Sequence, residues 1–268
     1  MALELKQIIE FLEDFAPLEL AEEWDNVGLL VGDESAEIER VITCLTITPD
    51  VVQEAIQTKA NLIVAHHPMM FRAVNKLTSR SIDGKMLLDL IQNRIAVYSP
   101  HTAFDSAAKG INQKLAEDLG LTKLAPIRSI EHERLPAESG SGRYGELPKP
   151  ISLEELLEKT KQVMSVPHLQ YVGEMGSTIT KVAVACGAAA QYLSDARQLG
   201  CEVLITGEAR FHGCLEARST GMSLIVAGHY ATERPAVEEL ANVLNQSFSE
   251  IEVFPSQVEN DPLQWSVS

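Results

Sequence analysis

The sequence lacks the features of secreted and membrane-spanning proteins. Its 268 residues include four isolated cysteines, Cys44, Cys186, Cys201 and Cys214, and none of them shows CxxC spacing. This spacing excludes a disulfide scaffold and predicts reduced, mostly buried thiols. No apolar run reaches the roughly 18 residues that cross a bilayer, and no basic region followed by an apolar stretch opens the chain. We therefore expect cytoplasmic residence and no membrane partner.

Positive charge is also scarce. The chain has 22 lysine and arginine residues against 38 aspartate and glutamate residues, which gives a formal net charge of -16. Nucleic-acid binding relies on clustered Lys and Arg, and no basic cluster stands out, so a standing partnership with nucleic acid is not expected. A small anionic substrate stays compatible with this composition, because bound metal ions can reverse the local field inside a pocket.

Two common nucleotide-binding motifs are absent. The sequence has no Walker-type loop, and the glycine that precedes Ala188-Ala189 lacks GxGxxG spacing. Neither a P-loop nucleotide site nor a dinucleotide fold is predicted.

Short apolar strands alternate with amphipathic helices along most of the chain. Hydrophobic residues make up 45% of the sequence, enough to fill a sizeable core. The predicted strands cover residues 40–46, 61–65, 95–98, 181–187, 203–208 and 223–228. The predicted helices cover residues 3–15, 48–56, 85–93 and 110–119, and a capping box at residues 152–155 opens a further helix. This alternation predicts an α/β fold with mixed sheets flanked by helices.

The composition changes in the middle of the chain. Residues 126–150 are polar and rich in turn formers, above all within residues 131–142. This stretch is predicted to be either a domain boundary or an exposed hairpin.

Three predicted strands are followed by histidines or carboxylates. His66 and His67 follow residues 61–65 directly, and Pro68 favours an irregular exit of the chain. By itself the pair fits either metal ligation or a polar strand cap. His101 and Asp105 occupy a second such position, and His229 with Glu233 occupy a third. Functional groups gather at the carboxyl ends of strands in open α/β sheets, so the three positions together predict a metal site.

Other residues admit two interpretations. Glu233 would gain from a helix dipole without any metal if Thr232 caps a helix there. Glu208 could be a general base or could orient a ligand, although an exposed carboxylate at a strand end explains it equally well. Trp24, Asp25 and Asn26 could line a pocket, or could simply pack and turn the chain.

A mixed imidazole and carboxylate set suits hydrolytic metal chemistry. Neutral imidazoles bind a transition metal without cancelling its charge, and a carboxylate can bridge two ions. Five such ligands leave coordination positions open for water and substrate. The sequence does not select among Zn, Fe and Mn.

The motifs around these positions resemble the Nif-three-like, YbgI-type dinuclear metal proteins, which are labelled GTP cyclohydrolase I type 2 homologs. The matching segments are residues 24–29, 65–68, 99–105, 205–208 and 227–234. The resemblance implies two divalent ions per subunit, held by His66, His67, Asp105, His229 and Glu233, with Glu233 as the bridge. It places His101 beside the ligands rather than among them.

The same resemblance implies an architecture and a function. A metal-binding α/β domain of residues 1–125 plus 223–268 would surround a smaller α/β domain of residues 126–222, and the subunits would form a toroidal homohexamer. The middle stretch at residues 126–150 is too short for the extra domain found in some relatives. The implied activity is hydrolysis of a small nucleotide-like or phosphorylated substrate through metal-bound hydroxide. The alternative is a non-enzymatic metal carrier or a partner in metallocentre assembly.

Overall fold

The chain divides into two compact units in its computed structural model, which describes residues 3–136, 138–264 and 266. The first unit contains the chain up to Phe104 and again from Ala236 onward, and the second contains Asp105–Pro235. The first unit is therefore discontinuous in sequence. None of the helices in the described ranges is both long enough and apolar enough to cross a membrane.

The first unit is built on a five-stranded sheet with the strand order β15-β4-β5-β6-β2. Strands β15, β4, β5 and β6 run parallel, and β2 pairs antiparallel with β6. Its elements are β1 (Leu3–Glu4), α1 (Leu5–Phe15), β2 (Gly28–Val31), β3 (Glu37–Ile38), β4 (Arg40–Cys44), α2 (Pro49–Thr58), β5 (Leu62–Ala65), α3 (Ile82–Gln92), β6 (Ala96–Ser99), α4 (His101–Ser106), α10 (Pro235–Ser247) and β15 (Glu252–Pro255).

Local sequence explains how these elements form. Helix α2 begins where predicted, because the Thr48 hydroxyl accepts a hydrogen bond from the Val51 amide and Pro49 needs no donor in the first turn. All four residues of β5 are buried, as expected for an inner parallel strand covered on both faces. Because β4, β5 and β6 are parallel, the residues that follow them emerge at one edge of the sheet.

The second unit is built on a six-stranded mixed sheet with the order β11-β14-β13-β12-β10-β7. Its elements are α5 (Ile111–Asp118), β7 (Thr122–Ala125), β8 (Arg128–Ser129), β9 (Gly140–Ser141), β10 (Arg143–Ser152), α6 (Leu153–Met164), β11 (Gln170–Val172), β12 (Thr178–Ala185), α7 (Leu193–Gln198), β13 (Val203–Thr206), α8 (Phe211–Thr220), β14 (Ser223–Val226) and α9 (His229–Glu233). Strands β12, β13 and β14 are parallel.

Alternation along the strands builds a core on each face of this sheet. Val182 and Val184 of β12 pack in one hydrophobic cluster, together with Leu156 of α6. Ala183 and Ala185 of the same strand pack in the other. Successive side chains of a strand point to opposite faces, so both faces are apolar and covered. The mixed α/β architecture predicted for the chain is confirmed.

The middle of the chain matches the predicted boundary or hairpin only in part. Strands β8 and β9 form a short antiparallel pair, which matches the hairpin alternative. Strand β10, however, is an interior strand paired with β12 on one side and β7 on the other. Its pairing with β12 skips from Glu146 to Ile151, and this gap accommodates Pro148 and Pro150, which cannot donate to a ladder.

The observed unit boundaries also lie away from the predicted ones. The sequence placed them after residues 125 and 222, whereas the compact units change after Phe104 and Pro235. Sheet pairing accounts for the difference: β7 pairs with β10 and β14 pairs with β13, so both strands belong to the second sheet.

A buried arginine fixes the start of β10. The Arg143 guanidinium donates to the carbonyl oxygens of Gly140, Gly142, Ala107 and Glu138 at 2.6 to 3.1 Å. Burial lowers the pKa of Arg143 to about 10, so the side chain stays charged at neutral pH. One cation thus supplies donors to carbonyls from two separated segments of the chain.

We expect Arg143→Met to lower the free energy of unfolding by about 3 kcal/mol, because several buried carbonyls lose their donors. Arg197→Met is the matched control, since Arg197 is an exposed arginine of the same unit. It should change stability by less than about 0.5 kcal/mol. Urea unfolding followed by circular dichroism measures both, and equal losses would contradict a role for Arg143 beyond a surface cation.

Candidate metal centre

His66 and His67 lie side by side where β5 ends. Their backbone amides donate to the carbonyls of Cys44 and Leu45 at 2.9 and 2.8 Å, so the pairing between β4 and β5 continues past the ends of these strands. The Ser99 hydroxyl donates to the His66 carbonyl at 2.7 Å. The two ring centroids are 5.0 Å apart. The backbone therefore brings both imidazoles together, although alternating strand residues would point apart.

His101 joins this pair. One ring nitrogen from each of His66, His67 and His101 lies within 4.8 Å of the others, a spacing that could hold a metal ion. We call these three residues the histidine group. His66 is only 2% exposed, whereas the other two are partly exposed. The resemblance placed His101 beside the ligands, but one of its ring nitrogens lies within 4.8 Å of those of the predicted pair.

Asp25 holds the ring of His101. Its Oδ1 lies 2.7 Å from His101 Nδ1, and its Oδ2 accepts from the Thr102 amide at 3.1 Å and from the Thr102 hydroxyl at 2.5 Å. Burial acts to raise the pKa of Asp25, but the hydrogen bonds from His101 and Thr102 outweigh it and lower that pKa to about 2. Asp25 is therefore an ionised carboxylate that orients an imidazole.

Backbone strain at His101 supports this interpretation. His101 has a φ of +28°, in the region that non-glycine residues rarely adopt. A strained backbone conformation persists only where the surrounding contacts hold it, and such residues are concentrated at functional sites. Asp25 and Thr102 supply those contacts.

Thr46 plays the corresponding part for His67. Its hydroxyl lies 2.7 Å from His67 Nδ1. Glu259 in turn accepts from the Thr46 amide at 2.6 Å and from the Leu45 amide at 2.9 Å. Sequence reasoning missed both Thr46 and Glu259. The position of Thr46 at the end of a predicted strand was a usable signal, but nothing linked Glu259 to a residue more than 200 positions earlier.

These contacts fix the orientation of two of the three rings. Metal-binding histidines usually engage their second nitrogen with an oxygen, which fixes the orientation of the ring. Nδ1 of His67 and Nδ1 of His101 each have such an oxygen partner, in Thr46 and Asp25. The geometry of the histidine group thus fits a metal site.

Trp24 and Asn26 lie next to this group. The Trp24 ring is 6.0 Å from the His101 ring and 5.6 Å from that of Phe71. The side-chain amide of Asn26 donates to the Met70 carbonyl at 2.7 Å. The 24–26 segment therefore positions both an aromatic ring and the chain that follows the histidine pair.

The second unit has its own set of candidate ligands, which we call the acidic cluster: Asp105, Glu208, His229 and Glu233. His229 Nε2 lies 3.0 Å from Glu233 Oε2, and His229 Nδ1 lies 2.8 Å from Glu208 Oε1. Glu233 is only 3% exposed, so this carboxylate is buried. Two carboxylates thus engage the two nitrogens of one imidazole.

Charge favours a cation at this position. The hydrogen bond to Glu233 raises the pKa of His229 to about 9, against the opposing effect of burial, and Glu208 adds to the rise. A metal ion that binds here must displace a proton, as at most histidine and carboxylate sites. Imidazole with carboxylate is a donor set that Zn, Fe and Mn accept.

The helix around Glu233 starts earlier than predicted. Helix α9 begins at His229 after Gly228, whose φ is +102°. Thr232 is not a helix cap: its hydroxyl donates back to the His229 carbonyl at 2.9 Å and accepts from the Gly187 amide at 3.1 Å. The prediction of a Thr232 cap was wrong because a tertiary contact claims the hydroxyl. His229 and Glu233 consequently lie one turn apart on the same helix face.

Asp105 has a different local setting from Glu233. Its Oδ1 accepts from the Cys186 thiol at 3.2 Å, and its backbone carbonyl accepts from the side-chain amide of Asn112 at 3.1 Å. Burial raises the pKa of Cys186, and the negative charges of Asp105 and Glu233 raise it further. Asp105 and Glu233 therefore both contribute negative charge near the Cys186 thiol.

The fold and these clusters define an α/β protein with imidazole and carboxylate groups at its strand ends that could hold metal ions. The model of the Duf34/NIF3 (NGG1p interacting factor 3) family matches residues 3–262. The chain belongs to this family, which confirms the resemblance seen in the motifs.

Relatives match over the full length of the chain. The GTP cyclohydrolase 1 type 2 homolog of Clostridium acetobutylicum is 34% identical over 269 residues, covering 99% of this chain and 100% of that protein. Its namesake from Clostridium perfringens is 33% identical, with 98% and 100% covered. The crystal structure of Staphylococcus aureus hypothetical protein SA1388 superposes with a TM-score of 0.91 at 28% identity, covering 99% and 100%.

Replacing Asp25 should destabilise the protein in a pH-dependent way. A carboxylate with a lowered folded-state pKa contributes stability above its unfolded pKa of 3.8 and loses it as the pH falls toward 2. We expect Asp25→Asn to cost about 1 to 2 kcal/mol at pH 7, allowing for solvent screening, and about half as much at pH 3.

Urea unfolding at both pH values measures this difference. Asp14→Asn is the control, because Asp14 is an exposed aspartate of the same unit. A cost at Asp25 that is independent of pH would contradict the ionised state assigned to this residue.

Gly187 lies against the acidic cluster, next to Glu233 and His229. It has a φ of +62°, and a Cβ there would collide with Glu233 Oε1 and lie 3.3 Å from His229 Nε2. We expect Gly187→Ala to lose about 1 kcal/mol from backbone strain and to displace the carboxylate, which lowers metal content.

Gly200→Ala separates these two effects. Gly200 has a φ of +79°, and a Cβ there would meet nothing within 4 Å. It should show the same strain and normal metal content by mass spectrometry after chelation and reloading. Equal metal content in the two variants would sink the assignment of Glu233 as a ligand.

Proposed function

We propose that this protein is a metal-dependent hydrolase with two divalent ions, Zn, Fe or Mn, and with the predicted ligands His66, His67, Asp105, His229 and Glu233. The observation that carries the proposal is that oxygen atoms of Thr46, Asp25 and Glu208 each engage Nδ1 of a strand-end imidazole. Oxygen partners of this kind are typical of metal-binding histidines. A purely structural cluster has no need to orient three rings in this way.

The residues of the chain would then divide the work. A bound divalent ion would supply Lewis acidity and lower the pKa of a water molecule. Glu208 is exposed and bonded to His229, so in this proposal it orients that ring and accepts a proton from the attacking water. Asp25 and Thr46 hold His101 and His67 during turnover.

The substrate is proposed to be small and nucleotide-like or phosphorylated. Two relatives carry the name GTP cyclohydrolase 1 type 2 homolog. Opening a guanine ring requires water to attack its C8 carbon, a hydrolytic step that this set of side chains suits. GTP therefore belongs in the first set of compounds to be tested.

Turnover by metal-loaded protein tests the proposal. Protein reconstituted with Mn, Fe or Zn should hydrolyse at least one member of a panel of GTP, phosphoesters and cyclic amides. Glu233→Gln should lower metal content and rate together while α9 still forms, because Gln is a good helix former. Glu216→Gln, an exposed carboxylate of the same unit, is the control. An inactive loaded protein across the whole panel would contradict the hydrolase assignment.

The alternative is a metal carrier or a partner in metallocentre assembly. The 34% exposure of the His229 side chain favours it, because an accessible ligand suits transfer of metal to an acceptor. Under this alternative, metal should move onto a chelating acceptor within minutes, and Glu208→Ala should leave the transfer rate intact. Fast transfer without turnover would favour the carrier over the hydrolase.

The homohexamer implied by the motifs is part of the same proposal. Sedimentation equilibrium should then give a mass six times the 29.4 kDa of the chain.

A further inference from the structure

The ten residues from Phe71 to Arg80 form an unusual segment directly after the histidine pair. All ten are exposed, and they form neither helix nor strand between β5 and α3. Residues 66–82 contain no carboxylate but include Arg72, Lys76 and Arg80, in a chain whose formal charge is -16. The segment is therefore locally cationic in an acidic protein.

These cations are available for a ligand. Within the described part of the chain, no hydrogen bond or ion pair engages the side chains of Arg72, Lys76 and Arg80. Two other cations of the same unit are paired: Arg40 lies 2.7 Å from Glu252, and Lys85 lies 2.7 Å from Asp89. Cations without carboxylate partners keep their full attraction for an anion.

Two exposed aromatic rings stand at the start of this segment. Trp24 is 59% exposed and Phe71 is 53% exposed, and their ring centroids lie 5.6 Å apart at an angle of 32°. Both rings meet the His101 ring nearly edge-on, at 6.0 and 5.9 Å. We call Trp24 and Phe71 the aromatic shelf.

The shelf is held in place beside the histidine group. The side-chain amide of Asn26 donates a hydrogen bond to the Met70 carbonyl at 2.7 Å, which links the start of the segment to the residues next to Trp24. Large aromatic surfaces left in water are costly, and a planar ring stacked on them removes that cost. Base stacking on aromatic side chains is a general mode of recognition because every base has a π face.

We propose that the aromatic shelf and the cations of residues 71–80 form the substrate-binding arm of the protein, which takes a planar aromatic heterocycle carrying an anionic group. Arg72 follows Phe71 directly, so ring and anion can be bound together by one small molecule of the nucleoside phosphate class. The inference rests on the proposed function only for what happens to the ligand after binding. Binding itself needs neither turnover nor metal.

Tryptophan fluorescence tests the ring contact directly. The chain has two tryptophans, and Trp265→Phe leaves Trp24 as the sole reporter; Trp265 lies outside the described residues. The full chain, as purified and again after chelation, is titrated with GMP, guanosine and inorganic phosphate. GMP and guanosine should quench Trp24, GMP at lower concentration, whereas phosphate should compete with GMP without quenching. Absence of quenching by both GMP and guanosine would overturn the proposal.

Two pairs of variants separate the ring from the charge. Phe71→Ala should weaken GMP and guanosine alike by about tenfold, while Ile82→Ala, at a residue of the same unit that is 68% exposed, should change neither. Arg72→Gln should weaken GMP several-fold and leave guanosine unchanged, and Lys6→Gln should have no effect. An unchanged ratio of GMP to guanosine affinity in Arg72→Gln would overturn the anionic part.

The outcomes also separate this inference from the hydrolase proposal. Quenching without turnover would support the binding arm and count against hydrolysis. Turnover that is unaffected by Phe71→Ala and Arg72→Gln would do the reverse. Circular dichroism of each variant checks the fold, which should be intact because both side chains are exposed.

Discussion

An imidazole at a strand end is useful only if its ring is held, and this requirement shapes both units. Thr46 follows β4, Asp25 precedes β2 and Glu208 follows β13, and each places an oxygen 2.7 to 2.8 Å from the Nδ1 of a histidine. A tethered ring has less rotamer freedom to lose when a ligand binds, so the entropy cost falls on folding instead. The partners are therefore as much part of the site as the rings are.

Parallel strands make this arrangement possible. Neighbouring parallel strands end at the same edge, so residues distant in sequence meet without long loops. In the first unit, the ladder between β4 and β5 continues into the amides of His66 and His67, which fixes both backbones before any side chain acts. In the second unit, β13 and β14 deliver Glu208 and His229 in the same way. Each sheet thus fixes the backbone from which its candidate ligands extend.

The sequence was sufficient for the elements with a local signal. The strand before His66 is uniformly apolar, and the capping boundary of α2 lies in three consecutive residues. The partners of the rings were harder, because Asp25 lies 76 residues from His101 and Glu259 lies more than 200 from Thr46. No short-range pattern encodes such pairs. The Thr232 cap was wrong, and the boundary or hairpin predicted at residues 126–150 left out the interior strand β10, for a related reason: tertiary hydrogen bonds and strand pairing overrode local propensity.

Mean charge was the least informative quantity in the sequence. A total of -16 suggests an acidic surface, yet the stretch after the histidine pair carries three cations and no carboxylate over 17 residues. Coulomb interactions in water are screened within about 8 to 10 Å at ordinary ionic strength, so a ligand at this stretch responds to its neighbours and not to the whole chain. The carboxylates of the second unit follow the same logic in reverse. There, a buried glutamate and its neighbour raise the pKa of His229 to about 9, which makes that position attractive to a cation. The local distribution of charge, and not its sum, therefore determines which ligands each unit can bind.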